Sequence, residues 1–263
     1  MPLKFIHLTD PHLVSPGQAL YGTDPLWRLS RAVAAINADH SDAAFLLITG
    51  DLADRGEPAA YEAMADCLSQ LRMPVRLAIG NHDDREAFRA VFATTPTTAE
   101  GFVQYAFDAV GLRHIVLDSN EAGASWGSFC ERRAAWLAEE LARSAPQPVM
   151  LYIHHPPCAV GIPAMDQNSL RDTQYLREAV LPHGKRIRHL FFGHLHRPMA
   201  GSWMGIPLST VRGTNHQVAL QMKQALHPLG SHEPPQFAVV VVDEESTIVH
   251  LHDFDDTSAR FDL

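Results

Sequence analysis

Six short apolar runs, at residues 3–8, 44–49, 75–79, 113–117, 148–153 and 188–192, set the tightest limit on what this chain can fold into. They are too continuously apolar for strands with one wet face, so they read as strands buried on both sides. Between several of them the spacing becomes helical. Leu26, Leu29, Val33 and Ile36 recur at steps of 3, 4 and 3 behind Asp24-Pro25, a capping residue followed by a proline at the first helical position. Tyr61, Met64, Leu68 and Leu71 repeat the rhythm after Glu57-Pro58; a third helix is expected over about 131–142, and shorter ones over 84–92 and 169–180. The order is mostly β-α-β, which predicts an α/β fold with helices laid on sheet faces.

From about Trp203 the texture changes. GSWMGIPLST reads as a hairpin and FAVVVVDEESTIVHLHDF as two strands around a polar turn, so the last third is expected to make a second sheet. The stretch 216–235 fits neither pattern, and its prolines and scattered apolar residues suggest a cap or a subunit contact. With 263 residues, 46% of them hydrophobic, the chain can bury one large core, and a single domain over 1–263 is expected.

Five of the runs end directly in oxygen and nitrogen ligands: Asp10-Pro11-His12, Gly50-Asp51, Gly80-Asn81-His82-Asp83, His154-His155 and Gly193-His194-Leu195-His196. If those runs are neighbouring strands, the clusters converge at one edge of a sheet. Taken singly, each has a plainer reading as a turn, a cap or a core histidine with satisfied hydrogen bonds. Taken together, at strand ends, they read as a metal site. Asp, His and Asn suit Mn²⁺, Fe²⁺, Co²⁺ or Zn²⁺, and the lack of thiolates argues against a purely structural zinc site. Asp51, held by Gly50 at a strand end, is the best candidate to bridge two ions through its two carboxylate oxygens. In an extended segment His194 and His196 would point to the same side and address two neighbouring ions, and the same logic aligns Asp10 with His12.

Other classes are disfavoured. A net charge of −9 argues against a nucleic-acid polymer as partner. Cys67, Cys130 and Cys158 lack any CxxC spacing, which fits a reducing cytoplasm rather than a disulfide framework. No secretory leader and no membrane-spanning run is read from the sequence.

The motifs D-x-H, G-D, G-N-H-D, H-H and G-H-x-H, in this order across residues 5–196, resemble the calcineurin-like metallophosphoesterase superfamily. More narrowly, GNHDD, HHPP at 154–157, GHLHR at 193–197 and GTNHQ at 213–217 are similar to bacterial class III cyclic-nucleotide phosphodiesterases and glycerophosphodiesterases. The resemblance implies a four-layer αββα sandwich and two divalent transition-metal ions. One ion would be held by Asp10, His12, Asp51 and His196, the other by Asp51, Asn81, His155 and His194, with His154 packing behind. It implies hydrolysis of small phosphodiesters by a hydroxide held between the ions. His82, beside a ligand but not itself one, is placed to protonate the leaving alkoxide or steady phosphoryl charge.

His216 matches a position on the substrate side, and Tyr21 lies in the loop after the first motif; both are candidates for substrate contact. Asp54 and Asp83 are expected to orient loops, and Asp118 to be a buried support or a turn residue. Asp54 also stands where purple acid phosphatases carry a tyrosine, so a phenolate-bound ferric ion is not expected. A phosphomonoesterase, or a non-catalytic scaffold of the same fold, are the alternatives. The relatives' habit of oligomerising implies a homo-oligomer, dimer or higher.

Overall fold

A computed structural model describes residues 2–225, 227–259 and 261–262. Along the first half run β1 (Leu3–Leu8), α1 (Pro25–Asp39), β2 (Leu46–Thr49), α2 (Pro58–Leu68), β3 (Val75–Ala78) and α3 (Arg85–Val91). There follow β4 (Tyr105–Ala109), β5 (Leu112–Val116), α4 (Glu131–Arg143), β6 (Val149–Tyr152), α5 (Pro163–Asp166), α6 (Thr173–Val180) and β7 (Ile187–Phe191). The remainder is strand: β8 (Met199–Trp203), β9 (Ile206–Thr210), β10 (Gln217–Val218), β11 (Gly230–Ser231), β12 (Gln236–Val242) and β13 (Thr247–Asp253). Asp24 caps α1 as its sequence suggested, with its carboxylate accepting from the Trp27 N–H, and Asp84 does the same for α3 through Ala87.

Two sheets face one another. One has the order β13-β12-β1-β2-β3 and the other β4-β5-β6-β7-β9-β8. In each, the strands that carry ligand clusters are parallel neighbours, β1-β2-β3 in the first and β6-β7 in the second. Helices α1 and α2 pack their apolar stripes into the core of the first sheet, and α4 and α6 cover the outer face of the second. Along β6 and β7, Tyr152 and Phe191 point inward against Phe5, while Leu151 and Leu190 join the outer cluster. The result is the expected αββα sandwich.

Two sequence expectations change. The last third does not form a sheet of its own: the β8-β9 hairpin extends the second sheet, and the β12-β13 hairpin pairs antiparallel with β1 and extends the first. Pairing these strands onto existing edges buries hydrogen-bonding groups that a separate two-hairpin sheet would leave open. The ligand clusters likewise meet across two sheets rather than along one edge. In 216–235 a short hairpin, β10 with β11, carries the excursion 219–229, of which Leu226 lies outside the described residues.

Three histidines lie between the sheets. Burial, helped by His189, pushes the His7 pKa down to about 3, and burial lowers His114 and His189 to about 4. His7 touches the Thr49 hydroxyl at 2.9 Å, His114 the Tyr152 hydroxyl at 2.8 Å and His189 the Ser209 hydroxyl at 2.8 Å, so each has a neutral hydrogen-bond partner. Unfolded histidine binds its proton near pH 6.5, while these stay neutral until about pH 4 or below. Above pH 6.5 they contribute no slope; below it the unfolded chain gains protons that the folded chain refuses, and stability is lost. With all three the slope approaches about 4 kcal/mol per pH unit between pH 6.5 and 4. Urea unfolding of the metal-loaded protein at pH 7.5 and 5.5 checks this, and equal midpoints would contradict it.

Candidate metal centre

The ends of β1, β2, β3, β6 and β7 bring their clusters together. Loop is tied to loop by backbone: Asp10 N–H donates to Gly50 O (3.2 Å), His12 N–H to Asp51 O (2.9 Å) and Gly193 N–H to His154 O (3.0 Å). Asp10, His12, Asp51, His194 and His196 all adopt left-handed backbone, with φ between +45° and +68°. Such conformations are costly for residues with a Cβ and cluster where function needs a side chain aimed against local preference. The extended geometry expected for His194-Leu195-His196 and for Asp10-Pro11-His12 is therefore absent; tight left-handed turns, not strand alternation, direct these side chains.

On one side of the centre, His12 Nδ1 donates to Asp54 Oδ1 (3.1 Å) and His196 Nδ1 to the His216 carbonyl (2.8 Å). Those bonds leave both Nε2 atoms as acceptors, yet they face each other at 3.1 Å. Asp51 Oδ2 lies 3.4 Å from His12 Nε2, and Asp10 Oδ1 lies 3.6 Å from His196 Nε2. With both imidazoles neutral these are four buried acceptors with no donor among them, an arrangement that fits a cation. The field is strong: burial opposes charge on His12, but its hydrogen bonds to Asp51 and Asp54 and the charges of Asp51 and Asp10 outweigh it and hold its pKa at about 10. A site that draws a proton this firmly draws a divalent ion, which displaces it.

On the other side, the members of the His154-His155 pair divide differently from expectation. His154 donates Nδ1–H to Thr49 O (2.7 Å), and its Nε2 faces Asn81 Oδ1 at 3.2 Å and Asp51 Oδ2 at 3.3 Å. His155 instead contacts the Ser119 hydroxyl through Nδ1 (2.8 Å), and its Nε2 is buried without a partner, as is that of His194. Burial first, then the facing imidazoles, keep His155 and His194 well below the usual histidine pKa, in the uncharged form that coordinates metal. The three imidazoles form a second buried group able to hold an ion.

A framework beneath the ligands was only partly legible. Asp83 accepts from the N–H groups of Leu52, Ala53 and Gly80 and from the Tyr61 hydroxyl, pinning the β2 and β3 loops together. Burial first, and Asp51 next, push its carboxyl up to about 6. Asp118, read as a support or a turn residue, is fully buried and takes both arms of Arg85 (2.9 and 2.8 Å). Asn120, Ser119 and Gly127 carried no sequence signal. Asn120 holds the carbonyls of Gly80 and Asp83. A Cβ on Gly127 would stand 2.4 Å from the His155 ring, and one on Gly80 would stand 2.2 Å from Asp51 Oδ1.

His82 sits at the rim. Its N–H donates to Asp51 Oδ1 (3.0 Å), its Nδ1–H to Asp54 O (2.7 Å), and its half-exposed ring lies 4.6 Å from that of His12. His216 packs against His12 and His196 (4.9 and 4.5 Å between rings), and Tyr21 lies against the far side of His216 at 4.7 Å. Every site residue expected from sequence therefore falls within one constellation, and His154 joins it.

Comparison with known proteins gives a consistent picture. The calcineurin-like phosphoesterase family matches residues 3–198. A protein of Rhodopseudomonas palustris named as a probable cyclic nucleotide phosphodiesterase is 44% identical, over 96% of this chain and 93% of its own. One of Arcobacter nitrofigilis, named as a probable glycerophosphodiester phosphodiesterase, is 28% identical, over 91% and 89%. Among solved structures, a dimetal phosphatase from Danio rerio superimposes with a TM-score of 0.71 at 15% identity, covering 96% of each chain, which establishes the shared fold.

Proposed function

The chain belongs to the calcineurin-like phosphoesterase family, and from that membership we propose that it is a dinuclear phosphodiesterase acting on small diesters, 3′,5′-cyclic nucleotides foremost and glycerophosphodiesters next. The observation that carries the reading is the set of buried acceptors, His12 Nε2, His196 Nε2, His154 Nε2 and Asp51 Oδ2 among them, turned toward one another with too few protons to share. We assign one cation to Asp10, His12, Asp51 and His196. The other goes to Asp51, Asn81, His154 and His194, with His155 close behind. Cations there would supply Lewis acidity toward the phosphoryl oxygens and an attacking water.

The rest belongs to side chains. Asp54, His216 O and Thr49 O fix the imidazole tautomers so that each ligand nitrogen faces inward. His82, with Nδ1–H held by Asp54 O, keeps Nε2 at the open rim, and we assign it the proton delivered to the leaving oxygen. Replacing His82 with alanine is expected to lower kcat by roughly 10²- to 10⁴-fold, most on alkyl esters, with metal content unchanged. Unaltered kcat on an alkyl diester would remove it from the mechanism.

The decisive assay compares cyclic AMP, a glycerophosphodiester, bis-aryl and mono-aryl phosphates on Mn²⁺-reconstituted protein, before and after chelation. Preference for the monoester would replace the diesterase reading with a phosphomonoesterase. No helix is long and apolar enough to cross a membrane among the described residues. A cytoplasmic setting is proposed from three unpaired cysteines, and self-association from the exposed Leu220, Met222 and Leu229; fractionation and sedimentation velocity test the two.

A further inference from the structure

Beyond His216 the centre opens into a pocket of about 570 Å³, bounded by Tyr21 on one side and by Pro228, Ser231 and His232 on the other. Its volume lies in the range of small-molecule sites. The His216 imidazole is a shared wall, against His12 and His196 on the metal side and Tyr21 on the pocket side. Anything bound through its phosphate at the ligands has this space for its organic arm.

Tyr21 is presented rather than merely exposed. It is 66% accessible, yet its backbone is held in the left-handed region at φ +53°. The loop around it is closed by the Leu20–Thr23 bridge, by Thr23 Oγ1 donating to Asn215 Oδ1 (2.6 Å), and by His232 Nε2–H donating to Tyr21 O (2.9 Å). An aromatic face fixed in the open at a pocket mouth suits a planar partner. Among the described residues, those that line the pocket include no carboxylate to pair with an ammonium headgroup and no lysine or arginine to pair with a second phosphate. It does offer acceptors. Gln217, fully buried along this wall, uses Nε2 on Gly213 O and leaves Oε1 without a partner. In the tautomer that donates through Nε2 to Tyr21 O, His232 carries its second acceptor on Nδ1.

We propose that this pocket is a nucleobase subsite, with the Tyr21 ring as stacking platform and Gln217 and His232 facing the edge of the base, so that Tyr21 determines the preference for nucleotide over glycerol diesters. The proposal rests on the diesterase reading for its biological use and its kinetic test, though not for its binding test. The first measurement compares cyclic AMP with the base-less 1-deoxyribose 3′,5′-cyclic phosphate. In Tyr21→Ala the ratio of their kcat/KM values is expected to fall by roughly ten- to a hundredfold, the worth of one base stacked on an aromatic, with KM rising more than kcat falls. Tyr21→Phe should retain the ratio. A ratio within twofold of wild type in Tyr21→Ala overturns the subsite.

The second measurement needs no turnover: saturation-transfer NMR with adenosine should label the base protons with wild-type protein and lose that label with Tyr21→Ala. Absence of transfer in wild type overturns the subsite even if diesters are hydrolysed. Transfer in a protein that hydrolyses no diester upholds it and sinks the phosphodiesterase reading instead.

Discussion

Asp51→Asn is expected to strip both cation positions and to cut diester hydrolysis by roughly a thousandfold or more. Asp51 Oδ2 lies 3.4 Å from His12 Nε2 and 3.3 Å from His154 Nε2, so one carboxylate serves both halves of the centre. The two imidazoles, together with His82, hold its pKa well below the usual carboxylate range although burial pushes the other way. Asparagine has nearly the same shape and can keep an oxygen for the His82 N–H, so the loops should hold their course. What it removes is the negative charge that balances two divalent ions in a buried site. Metal catalysis contributes several kcal/mol, and at about 1.4 kcal/mol per tenfold in rate the loss is about three decades. Metal analysis after gel filtration, paired with kcat/KM on cyclic AMP, measures both effects. Two ions retained at wild-type affinity would end the bridging assignment. The same analysis separates neighbours: His154→Ala should lose the second ion more completely than His155→Ala.

Asp83→Ala is expected to cost stability rather than chemistry, on the order of 4 kcal/mol. The carboxylate takes four donors, three of them backbone, in a position only 6% exposed. Removing it leaves buried N–H groups of Leu52, Ala53 and Gly80 and the Tyr61 hydroxyl unsatisfied, at roughly 1–3 kcal/mol each, with entering water offsetting part of the sum. Against the 5–15 kcal/mol typical of a folded domain, this shifts Tm by about ten degrees. Asp83→Asn should fall between, because one oxygen survives while its NH₂ opposes two donors. Calorimetry decides, and a Tm within about two degrees of wild type for the alanine variant would show that Asp83 is not the tie between the β2 and β3 loops.

These two aspartates illustrate how unevenly the site could be read from sequence. Asp51 was legible because a Gly-Asp pair directly after a buried apolar run is a local signal. Asp83 was expected only to orient a loop, since nothing in GNHDD reveals that the backbone at Leu52 and Ala53 lies against it. His154 and His155 are the sharpest case. The residues are identical and adjacent, so local chemistry cannot rank them. The ranking comes from Thr49 O, 105 residues away in sequence, which takes the His154 Nδ1–H and turns Nε2 inward. Gly127 is similar: its need to lack a Cβ arises from the His155 ring above it.

The strand and helix order, the α/β class and the ligand types of the centre are legible in short segments, because apolar period and residue type are local properties. The tertiary structure alone decided where the C-terminal hairpins pair, which of two adjacent histidines faces Asp51, and that a pocket walled by Tyr21, Gln217 and His232 opens beside the ligands. Those outcomes depend on hydrogen-bond partners and left-handed turns supplied from distant parts of the chain, and short-range patterning does not encode direction across such distances.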